Sequence, residues 1–120
     1  PQEEAHNIAE MIAREKIHPT GLPTLPVASA VPHADPIGVN QTAIALAVLQ
    51  QPVTFCAMDN PSQKLDVSIV FLMSFIKGDQ IAILRWVSKV LGDRETVRTI
   101  VNSATAQRAF DAIQPYLQDQ

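Results

Sequence analysis

Leu65-Asp66-Val67-Ser68-Ile69-Val70-Phe71-Leu72-Met73-Ser74-Phe75 is the stretch that decides the fold. Val67, Ile69, Val70 and Phe71 make it β-branched and aromatic, and its apolar residues fall on both parities. A run of that kind reads as a central strand covered on both faces. Directly after it the period changes. Past Lys77-Gly78, the residues Ile83, Leu84, Val87, Val90 and Leu91 recur at helical spacing up to Gly92, with Asp79 as the predicted N-cap. Asp93 to Val101 continues helically, with Val97, Ile100 and Val101 on one side. Thr105 then caps a last helix bearing Ala109, Phe110, Ile113 and Leu117, with Pro115 late in it.

Upstream, Thr42 to Gln50 is an apolar run ended by Gln51-Pro52, and its length and flanking breakers favour a buried strand. Val27 to Val31 reads as a short strand running into Pro32-His33. Prolines 19, 23, 26, 32 and 36 exclude a helix across that span. From Glu3 to Lys16, Ala5, Ile8, Ala9, Ile12 and Ala13 make a helical stripe, stopped by His18-Pro19-Thr20-Gly21. Helix, strands, then helices predict an α/β fold, a mixed sheet sandwiched by helices, as a single domain over residues 1–120.

Composition narrows the function classes. With 120 residues, the chain is long enough for one core without staples, and Cys56 alone forms neither an internal disulfide nor a Cys–His zinc site. Nine Lys or Arg against twelve Asp or Glu give a net charge of −3, which removes the usual basis for nucleic-acid binding. The most apolar stretch, Val67 to Ile76, is half of the roughly 20 residues a membrane helix needs. The chain opens Pro-Gln-Glu-Glu, without the basic and apolar regions of a signal peptide, so a cytoplasmic protein is expected, with no direct membrane insertion.

Three histidines remain as candidates for proton or phosphoryl chemistry. His6 falls on the polar face of the first helix and reads as solvated, while His18 sits in the following turn, where capping a carbonyl suffices. His33 differs in context. It lies in Val31-Pro32-His33-Ala34-Asp35-Pro36 at the end of a predicted strand, where open α/β sheets place their sites. Two prolines stiffen its support, although a structural histidine fits the same pattern. No glycine-rich phosphate loop, GxSxG or HExxH is present, and no cofactor or metal is expected. Asp111 and Asp119 read as solvation, Met11, Met58 and Met73 as core filler, and Cys56 as a small buried hydrophobe.

Arg14-Glu15, Pro19-Thr20-Gly21 and Ala30-Val31-Pro32-His33, followed by the 64–72 strand and the Gln80-to-Leu91 helix, form an ordered series over most of the chain. The series resembles the enzyme IIA domain of the bacterial phosphoenolpyruvate-dependent sugar phosphotransferase system, fructose/mannitol type. The 19-residue interval from Arg14 to His33 and the Pro-Thr-Gly resemble the galactitol-like subgroup. Relative to that family the chain is expected to lack an N-terminal strand and helix, and so to be a fragment.

The resemblance implies that His33 is phosphorylated and that Arg14 sits over the phosphoryl group; an ion pair of Arg14 with Glu10 or Glu15 is the structural alternative. Where many mannitol-type members carry a second histidine, Gln80 stands here, placed to donate to phosphate oxygens without adding charge. Asp35 either orients His33 or simply forms the turn before Pro36. The implied partners are the phosphocarrier HPr as donor and a cysteine of enzyme IIB as acceptor, with the membrane enzyme IIC involved indirectly. Alternatively the domain is regulatory, nitrogen-type or part of a transcriptional regulator, and phosphorylation of His33 is a switch. Two-way transfer implies a shallow, exposed site, with Leu22, Leu25 and Ile37 as its apolar rim.

Overall fold

The computed structural model describes residues 12–33 and 41–117. Four strands, β1 (Gly21–Leu22), β2 (Ala28–Ala30), β3 (Ala43–Cys56) and β4 (Lys64–Ser74), form one mixed sheet in the order β1-β2-β4-β3. The central pair β2 and β4 is parallel, while β1 on β2 and β3 on β4 are antiparallel. Helix α1 is described over 12–17; α2 (Gln80–Leu91), α3 (Arg94–Val101) and α4 (Ala106–Leu117) follow the sheet. This is the mixed sheet flanked by helices that the alternation of patterns predicts.

The two-parity apolar pattern of 65–75 has a specific cause. Ala28 pairs with Val67 and Ser29 with Ile69, so Ser68 has no partner in β2. On the other side Val53 pairs with Val67 and Val48 with Ile69, which again skips Ser68. A bulge there shifts the alternation of side chains by one. Leu65, Val67 and Val70 accordingly cluster with Ala30, Ala57 and Phe55. Ile69, Phe71 and Met73 belong to a second, larger core with α2, α3 and α4. Trp86 of α2 meets Phe71 edge-on, with centroids 6.3 Å apart. One strand therefore feeds two cores, and its odd-numbered side chains change core at the bulge.

The helix starts differ in chemistry. The Asp93 carboxylate accepts from the amides of Glu95 and Thr96 at 3.0 and 3.4 Å, and Thr105 Oγ1 accepts from Arg108 N–H at 3.2 Å. Asp79 occupies the N-cap position of α2 but makes no side-chain cap bond. Its carboxylate accepts instead from Thr42 Oγ1 at 2.7 Å, and Thr42 Oγ1 also accepts from Ile76 N–H at 2.9 Å. A long-range bond has displaced the local one. Gly78, at φ 101°, supplies the left-handed residue of the turn that leads there.

Several expectations are corrected. The strand predicted to end at Gln51-Pro52 continues to Cys56. Proline is tolerated because Pro52 lies where the register against β4 is interrupted, so no ladder bond needs its missing N–H. Most of that strand is exposed, not buried. Met58 is 46 % exposed beyond the end of β3, whereas Met73 is fully buried. Cys56 is half-buried, and Phe110 is 46 % exposed despite its place in the apolar spacing of α4. Leu22 packs against the larger core and forms no rim. His6, Met11, Asp35, Ile37, Asp119 and most of the first predicted helix lie outside the described residues.

Candidate functional site

His33 follows β2 by three residues and lies beside the C-terminal end of β4. Met73 N–H donates to Pro32 C=O at 3.0 Å, and His33 forms a parallel bridge with Met73. Pro32, which lacks an N–H of its own, thus still ties the segment to β4 through its carbonyl. The imidazole meets the Phe75 ring edge-on, with centroids 5.7 Å apart. Its Nδ1 lies 2.7 Å from the Val31 carbonyl oxygen. A carbonyl only accepts, so Nδ1 carries the proton and the neutral ring keeps its lone pair on Nε2. That bond engages Nδ1 with the backbone and leaves Nε2 with its lone pair.

His33 is 7 % exposed, which corrects the expectation of a shallow, open histidine. The short reach from Nδ1 to a carbonyl two residues back folds the ring onto its own strand and against Phe75. Of the predicted rim, Leu25 is exposed at 54 %.

The residues before β2 are joined to this site by a chain of hydrogen bonds. Glu15, on α1, accepts from Thr20 twice, from its N–H at 2.7 Å and its hydroxyl at 2.6 Å. Thr20 C=O accepts from Val31 N–H at 3.2 Å, and Val31 C=O holds His33. Gly21 then pairs with Ala30, bridges to Ala57 and accepts from Met58 N–H at 2.8 Å. A Cβ on Gly21 would stand 2.6 Å from the Cys56 carbonyl oxygen, so this crossing requires glycine. The separated pieces Arg14-Glu15, Thr20-Gly21 and Val31-Pro32-His33 are therefore one bonded unit. Sequence reasoning placed Glu15 and Thr20 in the series and gave Glu15 only the alternative of an ion pair with Arg14. Their five-residue separation across a turn carries no periodic signal.

Arg14 is half-buried on α1, one residue before the carboxylate that anchors Thr20, and its carbonyl accepts from His18 N–H at 2.6 Å. His18 itself is exposed. Gln80, half-buried, opens α2 just past the same end of β4. Among the described residues no hydrogen bond joins it to His33. Phe75 is a contact of His33 that the sequence did not single out. No cluster suited to a metal ion occurs among the described residues, and no helix among them is long and apolar enough to cross a membrane.

His33 is thus an imidazole held by backbone groups at a strand end of an α/β sheet. The family model described as phosphoenolpyruvate-dependent sugar phosphotransferase system, EIIA 2, matches residues 2–116, and the chain belongs to that family. Family membership makes it a phosphotransferase-system component, a transferase with a phosphocarrier role among partner proteins. No curated protein sequence matches it. Among solved structures, one described as a PTS IIA domain from Streptococcus pyogenes M1 GAS aligns with a TM-score of 0.71 and 19 % identity, over 94 % of this chain and 71 % of that one. One described as PTS IIA (PtxA) from Streptococcus mutans gives 0.71 and 18 % over 93 % and 69 %. IIA mannitol from Escherichia coli gives 0.65 and 17 % over 90 % and 74 %. At these identities the structures establish a shared fold.

Proposed function

We propose that this chain is a cytoplasmic enzyme IIA that takes a phosphoryl group from phospho-HPr onto His33 Nε2 and passes it to a cysteine of an enzyme IIB, for sugar or sugar-alcohol uptake through an enzyme IIC. The observation that carries this reading is the Nδ1–Val31 carbonyl bond, which leaves Nε2 as the nucleophilic nitrogen. In the forward step the Nε2 lone pair forms the new P–N bond, and the donor's P–N bond breaks with its electron pair returning to the donor imidazole. In the second step a thiolate of the partner attacks phosphorus, and the Nε2–P bond returns its pair to the ring. No acid or base is consumed, and positioning with charge stabilisation suffices for such loose transition states.

Low exposure of the ring suits this chemistry, because only the Nε2 edge has to meet a partner's nucleophile. The bond chain through Glu15 and Thr20 supports placing α1, and with it Arg14, next to the site. There a permanently charged, planar guanidinium would spread over the phosphoryl oxygens. Gln80 would add a neutral donor from the first turn of α2. The 19-residue spacing from Arg14 to His33 favours the galactitol-like subgroup.

Incubation with phosphoenolpyruvate, enzyme I and HPr should give an acid-labile phosphoryl adduct, read by mass spectrometry. His33→Ala should abolish the adduct with an unchanged far-UV circular dichroism spectrum, and Arg14→Ala should slow its formation. An adduct on His33→Ala, or none on the parent chain, refutes the reading.

A further inference from the structure

We infer that Glu15 is a positioning residue for His33. Through Thr20 it holds the Val31 backbone, whose carbonyl keeps the ring proton on Nδ1 and leaves Nε2 as the nucleophile. For its effect on transfer this inference rests on the phosphocarrier reading, whereas the state of the ring can be observed without any phosphoryl donor.

The peptide that carries the Val31 carbonyl has no N–H, because the next residue is Pro32. No donor of its own fixes it, so its direction follows from the anchors on either side. On one side Met73 N–H donates to Pro32 C=O at 3.0 Å, which ties it to the inner strand β4. On the other side Val31 N–H donates to Thr20 C=O at 3.2 Å. That second anchor has little sheet behind it. Thr20 precedes β1, a strand of two residues, and follows Pro19, which offers no N–H. The N–H and the hydroxyl of Thr20 both go to Glu15, one to each carboxylate oxygen, at 2.7 and 2.6 Å. Two short, charge-assisted bonds to separate oxygens fix the orientation of Thr20 as well as its place.

Direction decides the chemistry of the ring. With the Val31 carbonyl oxygen 2.7 Å from Nδ1, a proton on Nδ1 makes a hydrogen bond, and its absence sets two lone pairs face to face. In the other neutral tautomer Nε2 carries the proton and has no pair with which to attack phosphorus. Turning the carbonyl away removes the distinction, and both tautomers form. The Phe75 ring packs edge-on against the imidazole but offers no acceptor to Nδ1, so it cannot choose between them. The choice belongs to the backbone, and the support of that backbone from α1 is the Glu15 carboxylate.

Long-range proton–nitrogen correlation spectra of the chain carrying nitrogen-15 histidine report the tautomer of each ring. At about pH 8.5, two units above the reference imidazole pKa of about 6.5, the rings are neutral. His33 of the parent should show the Nδ1–H tautomer alone, and Glu15→Ala should bring both tautomers into view. In a single turnover from phospho-HPr, Glu15→Ala should form its adduct at least about tenfold more slowly, yet reach the parent's final amount. Loss of folded chain would lower the amount instead. Glu15→Gln keeps both contacts, with its amide oxygen accepting from Thr20 N–H and its amide N–H donating to Thr20 Oγ1, and should restore the tautomer and most of the rate. The Nδ1–H tautomer alone in Glu15→Ala, at whatever rate, overturns the inference, and so does the parent's rate in that variant. A Glu15→Gln chain that behaves like Glu15→Ala also overturns it, since charge and not the two contacts would then be the cause. Should Glu15→Ala lose its circular dichroism signal, Thr20→Val, which gives up the hydroxyl contact alone, takes its place with the same expectations at smaller size. No adduct on the parent chain refutes the phosphocarrier reading, and the tautomer comparison then decides the positioning by itself.

Discussion

Thr20, 3 % exposed, donates two hydrogen bonds to one carboxylate, that of Glu15. Removing Glu15 leaves a buried N–H and a buried hydroxyl without their acceptor, a loss that water cannot repair in place. Glu15→Ala is expected to cost about 1–3 kcal/mol, read as a lowered urea midpoint at unchanged slope. Its second expected effect is slower phosphorylation, because the same bond ties the Arg14 turn to the strand that bears His33. A double-mutant cycle with Thr20→Val should give less than the sum of the single losses, since the two residues share one interaction. At this scale the sequence was partly legible. His33 stood out by its proline-flanked strand end, and Arg14 by the series it opens. The tautomer of His33 was not readable, because it depends on a carbonyl direction that no side-chain pattern encodes. Nor was its low exposure, which comes from Phe75, forty-two positions on.

Elements were legible where periodicity was long and failed where a distant partner intervened. The three later helices fall where spacing put them, since a stripe over three turns is hard to mistake. Asp79 and Asp93 look alike in sequence, each just ahead of an apolar period, yet only Asp93 caps with its side chain. Asp93→Ala is therefore expected to destabilise by about 0.5–2 kcal/mol through α3. Asp79→Asn keeps an acceptor for Thr42 and is expected to stay within about 0.5 kcal/mol of the parent. Thr42→Val should cost more than Asp79→Asn, because Ile76 N–H then loses its acceptor. Thermal unfolding of the three variants side by side tests that order. The end of β3 was misread for a related reason: proline is a breaker only where its missing N–H is needed, and the bulge removes that need.

At the scale of the whole molecule, the layers are held by a few large side chains under the helices. Phe71 is fully buried, with Trp86 edge-on against it and the three helices packed around the same core. Phe71→Ala is expected to cost about 3–5 kcal/mol, enough to unfold a marginal domain, and equilibrium denaturation measures it directly. The α/β class was legible from the order of patterns alone. The strand order was not, because parallel pairing of β2 with β4 across the intervening β3 is decided by contacts far apart in the chain.

The bulge at Ser68 makes the length of β4 as consequential as its composition. Leu65 and Val67 before it answer to one core, Ile69, Phe71 and Met73 after it to the other, and Val70 faces back to the first, so the strand is read in two frames. Loss or gain of a single codon between Lys64 and Ser68 would turn one set of residues over while leaving the other in place. Substitutions in this strand can accumulate one at a time, but insertions and deletions are expected to be purged, and a library of single-residue deletions would show that intolerance beginning at Lys64.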